Sequence, residues 1–238
     1  INQLSHFKNM EKIKITFLGT SDSIPSKNRN HTAILLSYKN ENILIDCGEG
    51  TQRQFKIANL NPCKLTSILI THWHGDHVLG LPGLLQTMFM QGYAKKLNIY
   101  GPKGTAHYFS LLKSLYNIQL PINIIEIENS RVLETSDFYM EAKSMHHTAK
   151  TNAYSFKIKD KIRLDKKKLA KYKIPNSPLL KKLQQGKDIL HKNKKIKSSQ
   201  VSYLEKGKKI TFILDTAYNK NAVEIAKNSD LLISECTF

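Results

Sequence analysis

Ile68-Leu69-Ile70-Thr71-His72-Trp73-His74-Gly75-Asp76-His77 drives an apolar strand directly into three histidines and an aspartate. His72 and His74 are two apart, so in an extended segment their side chains share one face, while Asp76 and His77 fall on the turn into a following helix. One strand end could thus serve two adjacent metal ions. Neutral imidazoles and a carboxylate suit Zn²⁺ or another borderline divalent cation, and the lack of a thiolate in the run argues against a closed structural cysteine site. Isolated histidines at strand ends are usually satisfied by backbone or solvent. Gathering this many unpaired polar groups at a core edge is costly, which favours the open metal site.

Working outward, the chain alternates strand and helix. Residues 12–18, 32–36 and 42–45 read as strands, with a turn at Lys39-Asn40-Glu41-Asn42, and residues 52–60 as a short helix. Residues 65–71 form the histidine-bearing strand. Residues 81–90 form a helix with Pro82 in its first turn and a buried stripe of Leu84, Leu85, Met88 and Phe89. A strand at 97–100, a helix at 105–116, and strands at 123–128, 138–145 and 154–158 follow. The last third holds strands at 209–214 and 230–234 around a helix at 221–227. Two distant strand ends carry further ligand types, Met145-His146-His147-Thr148 and Ile213-Leu214-Asp215-Thr216. Asp215 is either a helix cap or the anionic bridge that the first cluster lacks. In Asp46-Cys47-Gly48-Glu49-Gly50, Asp46 is placed to orient an imidazole by accepting its second N–H.

The 238 residues suffice for one large layered domain. Thirty-seven Lys and Arg against nineteen Asp and Glu give +18, a field that steers towards a polyanion. Cys47, Cys63 and Cys236 are too few and scattered for a disulfide framework, so a reducing cytoplasm is expected. No run reaches membrane-spanning length, no membrane partner is expected, and residues 1–9 read as upstream or added sequence.

Much of the charge is local. Residues 157–197 hold sixteen Lys or Arg against three acidic residues, +13 of the total. Arg163-Leu164-Asp165-Lys166-Lys167-Lys168-Leu169 starts a basic helix, Pro175-Asn176-Ser177-Pro178 breaks it, and Leu179-Leu180-Lys181-Lys182-Leu183 starts another. A solvated lysine-rich excursion would look similar. The concentration of charge fits better with an arm that grips phosphate backbone through Lys166, Lys167, Lys168, Lys181 and Lys182. With only Tyr172 interrupting the run, it positions by charge rather than by base stacking. Lys27 and Arg29 in Ser26-Lys27-Asn28-Arg29-Asn30 offer a second phosphate contact.

Taken together, the chain resembles tRNase Z, the tRNA 3′-processing endoribonucleases of the metallo-β-lactamase superfamily. The matching segments are Phe17-Leu18-Gly19-Thr20, Pro25-Ser26-Lys27-Asn28-Arg29-Asn30, Asp46-Cys47-Gly48-Glu49 and Thr71 to His77. Gly80-Leu81-Pro82-Gly83-Leu84-Leu85, Gly101-Pro102-Lys103-Gly104 and Glu235-Cys236-Thr237-Phe238 complete the match. The resemblance implies an α/β fold, the metallo-β-lactamase αβ/βα four-layer sandwich with an inserted basic arm. Residues 10–157 would be the first part of the domain, 158–198 the tRNA-binding arm, and 199–238 the return to the domain, with its C-terminal part missing. It also implies two Zn²⁺ per subunit, with Mn²⁺ or Mg²⁺ as substitutes. One is held by His72, His74 and His147, the other by Asp76 and His77, and Asp215 bridges them. His147 is preferred to His146 because the family spacing to Thr148 and Tyr154 requires it. Asp76 would hold and deprotonate the attacking water, and Glu235 would orient a general acid further downstream. The products would be a tRNA 3′-hydroxyl and a 5′-phosphorylated trailer, and the assembly a homodimer acting on precursor tRNA.

Two departures stand out. Ser177-Pro178 replaces the family's Gly-Pro pair in the arm, and the family's last metal-binding histidine lies beyond Phe238, so either a further C-terminal region belongs to the protein or the second site is incomplete in this form. Neither His107 nor His191 falls on a motif that would replace it. Another hydrolase of the superfamily, acting on DNA or a small ester, and a non-catalytic tRNA-binding form are the competing readings.

Overall fold

The computed structural model describes residues 12–192 and 194–236; the upstream stretch, Thr237 and Phe238 lie outside them. The first half runs β1 (Ile13–Gly19), β2 (Ala33–Tyr38), β3 (Glu41–Ile45), α1 (Thr51–Ile57), β4 (Ser67–Leu69), α2 (Gly75–Val78), α3 (Leu81–Met90), β5 (Leu97–Gly101), α4 (Thr105–Tyr116) and β6 (Ile122–Glu126). These six strands form one sheet in sequence order, antiparallel through β3 and parallel from β3 to β6. The second half opens with β7 (Arg131–Glu134), β8 (Phe138–Met145) and β9 (Thr151–Ile158). The basic segment follows as β10 (Lys161–Leu164), α5 (Lys166–Lys171), α6 (Leu179–Gln184), β11 (Ile189–His191), β12 (Lys194–Ile196), α7 (Ser198–Val201) and β13 (Ser202–Glu205). After it come β14 (Lys209–Ile213), α8 (Lys220–Ala226) and β15 (Leu231–Ser234). The second sheet has the order β15-β14-β9-β8-β7.

Side-chain alternation explains the layering. On β2, Ala33 and Leu35 join a core with Phe55 of α1, Leu81, Leu84, Leu85 and Met88 of α3, and Phe109 of α4. The intervening Ile34, Leu36 and Tyr38 join Phe138, Met140, Tyr154, Phe156 and Phe212 of the second sheet. β4 divides in the same way, Ile68 facing the helices and Leu69 the other sheet. Strands covered on both faces read as unbroken apolar runs, as these do. Across the second sheet, Ile225 of α8 packs on Ala153 and Ile213. The layers are therefore helix, sheet, sheet, helix, the four-layer sandwich expected from the sequence.

Several local expectations shift. Phe89 is 47% exposed, and the buried face of α3 runs instead through Leu81, Pro82, Leu84, Leu85 and Met88. Helix α1 stops at Ile57 because Asn59 turns left-handed, with φ 53°. The β2–β3 hairpin closes in two residues, Tyr38 pairing with Glu41 and Lys39 taking φ 54°. The basic segment is more ordered than two helices: β10 pairs with β13, β11 with β12, and Ile174, Leu183, Ile189, Ile196 and Val201 form a separate small core.

Candidate metal centre

The C-terminal ends of β4, β8 and β14 meet at one edge of the sandwich, and each delivers part of the site. The β4 ladder ends at Leu69, but Ile70 and Thr71 stay fixed by other partners. Ile70 N–H donates to Tyr100 O (2.8 Å) and its carbonyl accepts Tyr154 Oη–H (2.7 Å). Thr71 N–H donates to Asp46 Oδ1 (2.7 Å), and Thr71 O accepts from Asn152 N–H (2.9 Å). The second sheet thus grips the backbone immediately before His72. From sequence, Tyr154 served only as a spacing mark for His147 and Asn152 was not singled out, because β9, Thr-Asn-Ala-Tyr-Ser-Phe-Lys-Ile, mixes polar and apolar residues and does not show which of them reach the other sheet.

Three imidazoles converge. His72 Nε2 lies 2.9 Å from His74 Nδ1, and His147 Nε2 lies 3.2 Å from the same atom. Asp215 Oδ2 stands 3.7 Å from both His72 Nε2 and His147 Nε2, so these four side chains can present one ligand atom each to a single ion. A second cluster, His77, Asp215 and Glu235, shares Asp215 with the first. Asp215 Oδ1 is 3.4 Å from His77 Nε2, and Asp76 Oδ2 is 3.3 Å from it. His146 is exposed, its backbone bridged to Ala217, and its neighbour His147 is the one that enters the cluster.

Asp46 organises this edge from beneath. It is fully buried and left-handed (φ 56°), a conformation that Asp tolerates better than most residues. Its Oδ2 accepts from Thr71 Oγ1–H (2.6 Å) and sits 2.6 Å from His77 Nδ1. With the proton held on Nδ1, His77 Nε2 is left facing the site, the usual second-sphere arrangement for a ligating histidine. The Asp46 loop is clamped to the histidine loop by Cys47 N–H to His77 O (2.8 Å) and Gly80 N–H to Cys47 O (2.9 Å). The approach is close enough that a Cβ on Gly80 would lie 2.1 Å from Gly48 O.

The donor set fits divalent metal. His77 Nε2 and Asp215 Oδ1 are buried without a hydrogen-bond partner among the described residues, a costly state that a cation between them would relieve. Burial and the nearby His77 push His72 down to about 3, which keeps its ring neutral and able to ligate. Burial pulls His77 down as well, but the carboxylates of Asp46 and Asp215 outweigh it and raise the imidazole to about 11. Burial opposes ionisation of Asp215, yet His77 and Glu235 hold it well below the usual carboxylate range. The edge is therefore a nest for positive charge. At pH 7 the metal-free protein keeps a proton on His77 that an incoming cation must displace, so metal loading should release about one proton per chain. The release should vanish as pH rises through about 11, where His77 is already neutral. Indicator-dye titration in weak buffer checks this, and uptake at pH 7 without acidification would contradict it.

Of the remaining candidates, Arg29 lines a pocket together with Leu214 and with Glu235 of the second cluster, and the arm lysines stand on the basic segment. Lys27 and Arg29 are exposed on the loop after β1, where Arg29 Nη2–H already donates to Thr20 O (2.8 Å). Lys166, Lys167 and Lys168 are exposed on α5, and Lys181 and Lys182 on α6.

Fold and site together define a metal-binding hydrolase of the metallo-β-lactamase fold. The chain is 38% identical to ribonuclease Z of Nanoarchaeum equitans, over 94% of this chain and 71% of that protein. It is 39% identical to ribonuclease Z of Methanococcus maripaludis, over 95% and 76%. It superposes on human tRNase Z, short form, with a TM-score of 0.63 at 24% identity, covering 92% of this chain and 76% of that one. The metallo-β-lactamase fold protein YhfI of Bacillus subtilis gives 0.66 at 17% identity, over 96% and 72%. The chain belongs to the ribonuclease Z family and, over residues 13–177, to the family described as anti-Pycsar protein Apyc1.

Proposed function

We propose that this protein is the endoribonuclease that removes the 3′ trailer from precursor tRNA in the cytoplasm, with Zn²⁺ as its metal. The observation that carries the reading is the pair of clusters sharing Asp215 at one sheet edge, in a chain that devotes most of its net charge to one arm. Nitrogen and oxygen donors without thiolate suit Zn²⁺, and Mn²⁺ or Mg²⁺ would be poorer substitutes. When bound, the cations supply charge against the phosphoryl oxygens and make the attacking water acidic. Asp76 takes the proton of that water. His72, His74 and His147 with Asp215 would hold one cation, and His77, Asp76 and Asp215 the other. Glu235 shares the second cluster and is better placed to complete it than to orient a remote proton donor. The water oxygen bonds to phosphorus as the P–O3′ bond after the discriminator nucleotide breaks, and O3′ takes a proton from solvent, leaving a 3′-hydroxyl on the tRNA and a 5′-phosphate on the trailer.

The arm, with Lys166, Lys167, Lys168, Lys181 and Lys182, holds tRNA by its backbone, and Lys27 and Arg29 add contacts near the cleavage centre. A homodimer belongs to this reading, with the apolar stripe of Tyr108, Leu111 and Leu115 on α4, 47%, 55% and 73% exposed, as its candidate face; sedimentation as a 27.2 kDa monomer would remove it. The test of function is cleavage of a 3′-extended precursor tRNA beside an unstructured RNA of equal length, with bound metal counted. Selective release of the trailer is expected. Equal cleavage of both would favour the second reading, another hydrolase of the same superfamily with a different substrate.

A further inference from the structure

Tyr218 is 86% exposed, the most exposed large apolar side chain among the described residues, and it stands on a loop that is anything but loose. Ala217 N–H donates to His146 O (2.7 Å), and His146 N–H to Thr216 Oγ1 (3.2 Å). Asn219 Nδ2 donates to Thr216 Oγ1 and to Ala217 O, both at 2.9 Å, while its Oδ1 caps α8 by accepting from Ala222 N–H (2.9 Å). The loop is thus pinned on one side by the backbone next to His147 and on the other by a helix start. Tyr218 is three positions on from Asp215, a reach of at most about 11 Å between their Cα atoms. An aromatic ring held in water on a rigid loop gains nothing for folding, since it buries almost none of its surface. It suits a substrate whose bases lie beside the reacting phosphate, because every nucleobase has a face to stack and the platform is already ordered.

We infer that Tyr218 is a stacking platform for a nucleobase adjoining the scissile phosphate, a residue that sets how RNA is seated across the metal centre. The inference rests on the RNA-cleaving reading above. The experiment compares parent, Tyr218→Ala and Tyr218→Trp on a precursor tRNA and on versions with a single abasic nucleotide placed in turn on either side of the cleavage site. Tyr218→Ala should lower kcat/KM between about five- and a hundred-fold, the range of one base–aromatic stack, mainly through KM. Tyr218→Trp should restore it. The parent should suffer the same loss at one abasic position, and there Tyr218→Ala should lose nothing more. A change under twofold in Tyr218→Ala, or losses that multiply at every abasic position, would overturn the platform while leaving the nuclease intact. A parent inactive on every precursor would instead sink the RNA-cleaving reading and this inference with it.

Discussion

Asp215→Asn should cut precursor cleavage by more than about a thousand-fold and lower the bound metal in both clusters together. Asp215 is the only side chain common to the two ligand sets among the described residues. The substitution keeps the shape and removes the charge. Around the new amide, His72 Nε2 and His147 Nε2 would remain at about the distance where Oδ2 stood, 3.7 Å, with no anion to balance a cation among them. On the other side His77 Nε2 would lose the carboxylate oxygen it faces at 3.4 Å. The fold should survive, because the loop is tied independently through Ala217 and His146, and Ile213 O accepts from Glu235 N–H (3.1 Å). Metal analysis, cleavage rate and circular dichroism on the same sample decide the matter. A folded variant with full metal and parental cleavage would show that Asp215 bridges nothing.

Much of this site was legible in sequence because ligand chemistry leaves a compact trace. The alternation of His72 and His74, the turn through Asp76 and His77, and apolar strands ending at His147 and Asp215 all follow from where strands stop. Asp46 was legible as an orienting carboxylate, and its 2.6 Å approach to His77 Nδ1 has that form. The end of β4 was not legible. Residues 65–71 read as one strand, whereas the ladder covers Ser67–Leu69, since Thr71 gives its N–H to a carboxylate and its carbonyl to the opposite sheet. Only long-range packing supplies those partners. The arm hid its strands for another reason: in β10, Lys161-Ile162-Arg163-Leu164, a clean alternation is masked by the surrounding lysines. Glu235 was marked by the family resemblance but for another role, because a carboxylate at an edge strand looks the same whether or not a ligand cluster folds against it.

Excising the arm should separate recognition from chemistry. Ile158 N–H donates to Lys208 O (2.9 Å) and Lys157 pairs with Lys209, so β9 and β14 already stand as hairpin partners. Replacing residues 159–207 by Asn-Gly would close them with a two-residue turn of the type that right-twisted hairpins favour. The arm's small core around Leu183 and Val201 is separate from the inter-sheet core around Tyr154 and Phe212, so the sandwich should keep its packing and its metal. What goes is charge: sixteen Lys or Arg and four acidic residues, +12 of the total +18. A charged hydrogen bond contributes about 1.5–3 kcal/mol, so removing only two bonds to phosphate should weaken precursor tRNA binding by at least about a hundred-fold. The salt dependence should flatten by roughly 0.7–0.9 for each phosphate no longer neutralised, which distinguishes an absent backbone grip from a damaged centre. If the armless protein bound precursor tRNA with parental affinity and an unchanged salt slope, the arm would be the solvated lysine-rich excursion that its composition also allows. If it lost binding but kept metal and an unaltered rate at saturating RNA, the arm would hold the substrate and the sheet edge alone would cut it.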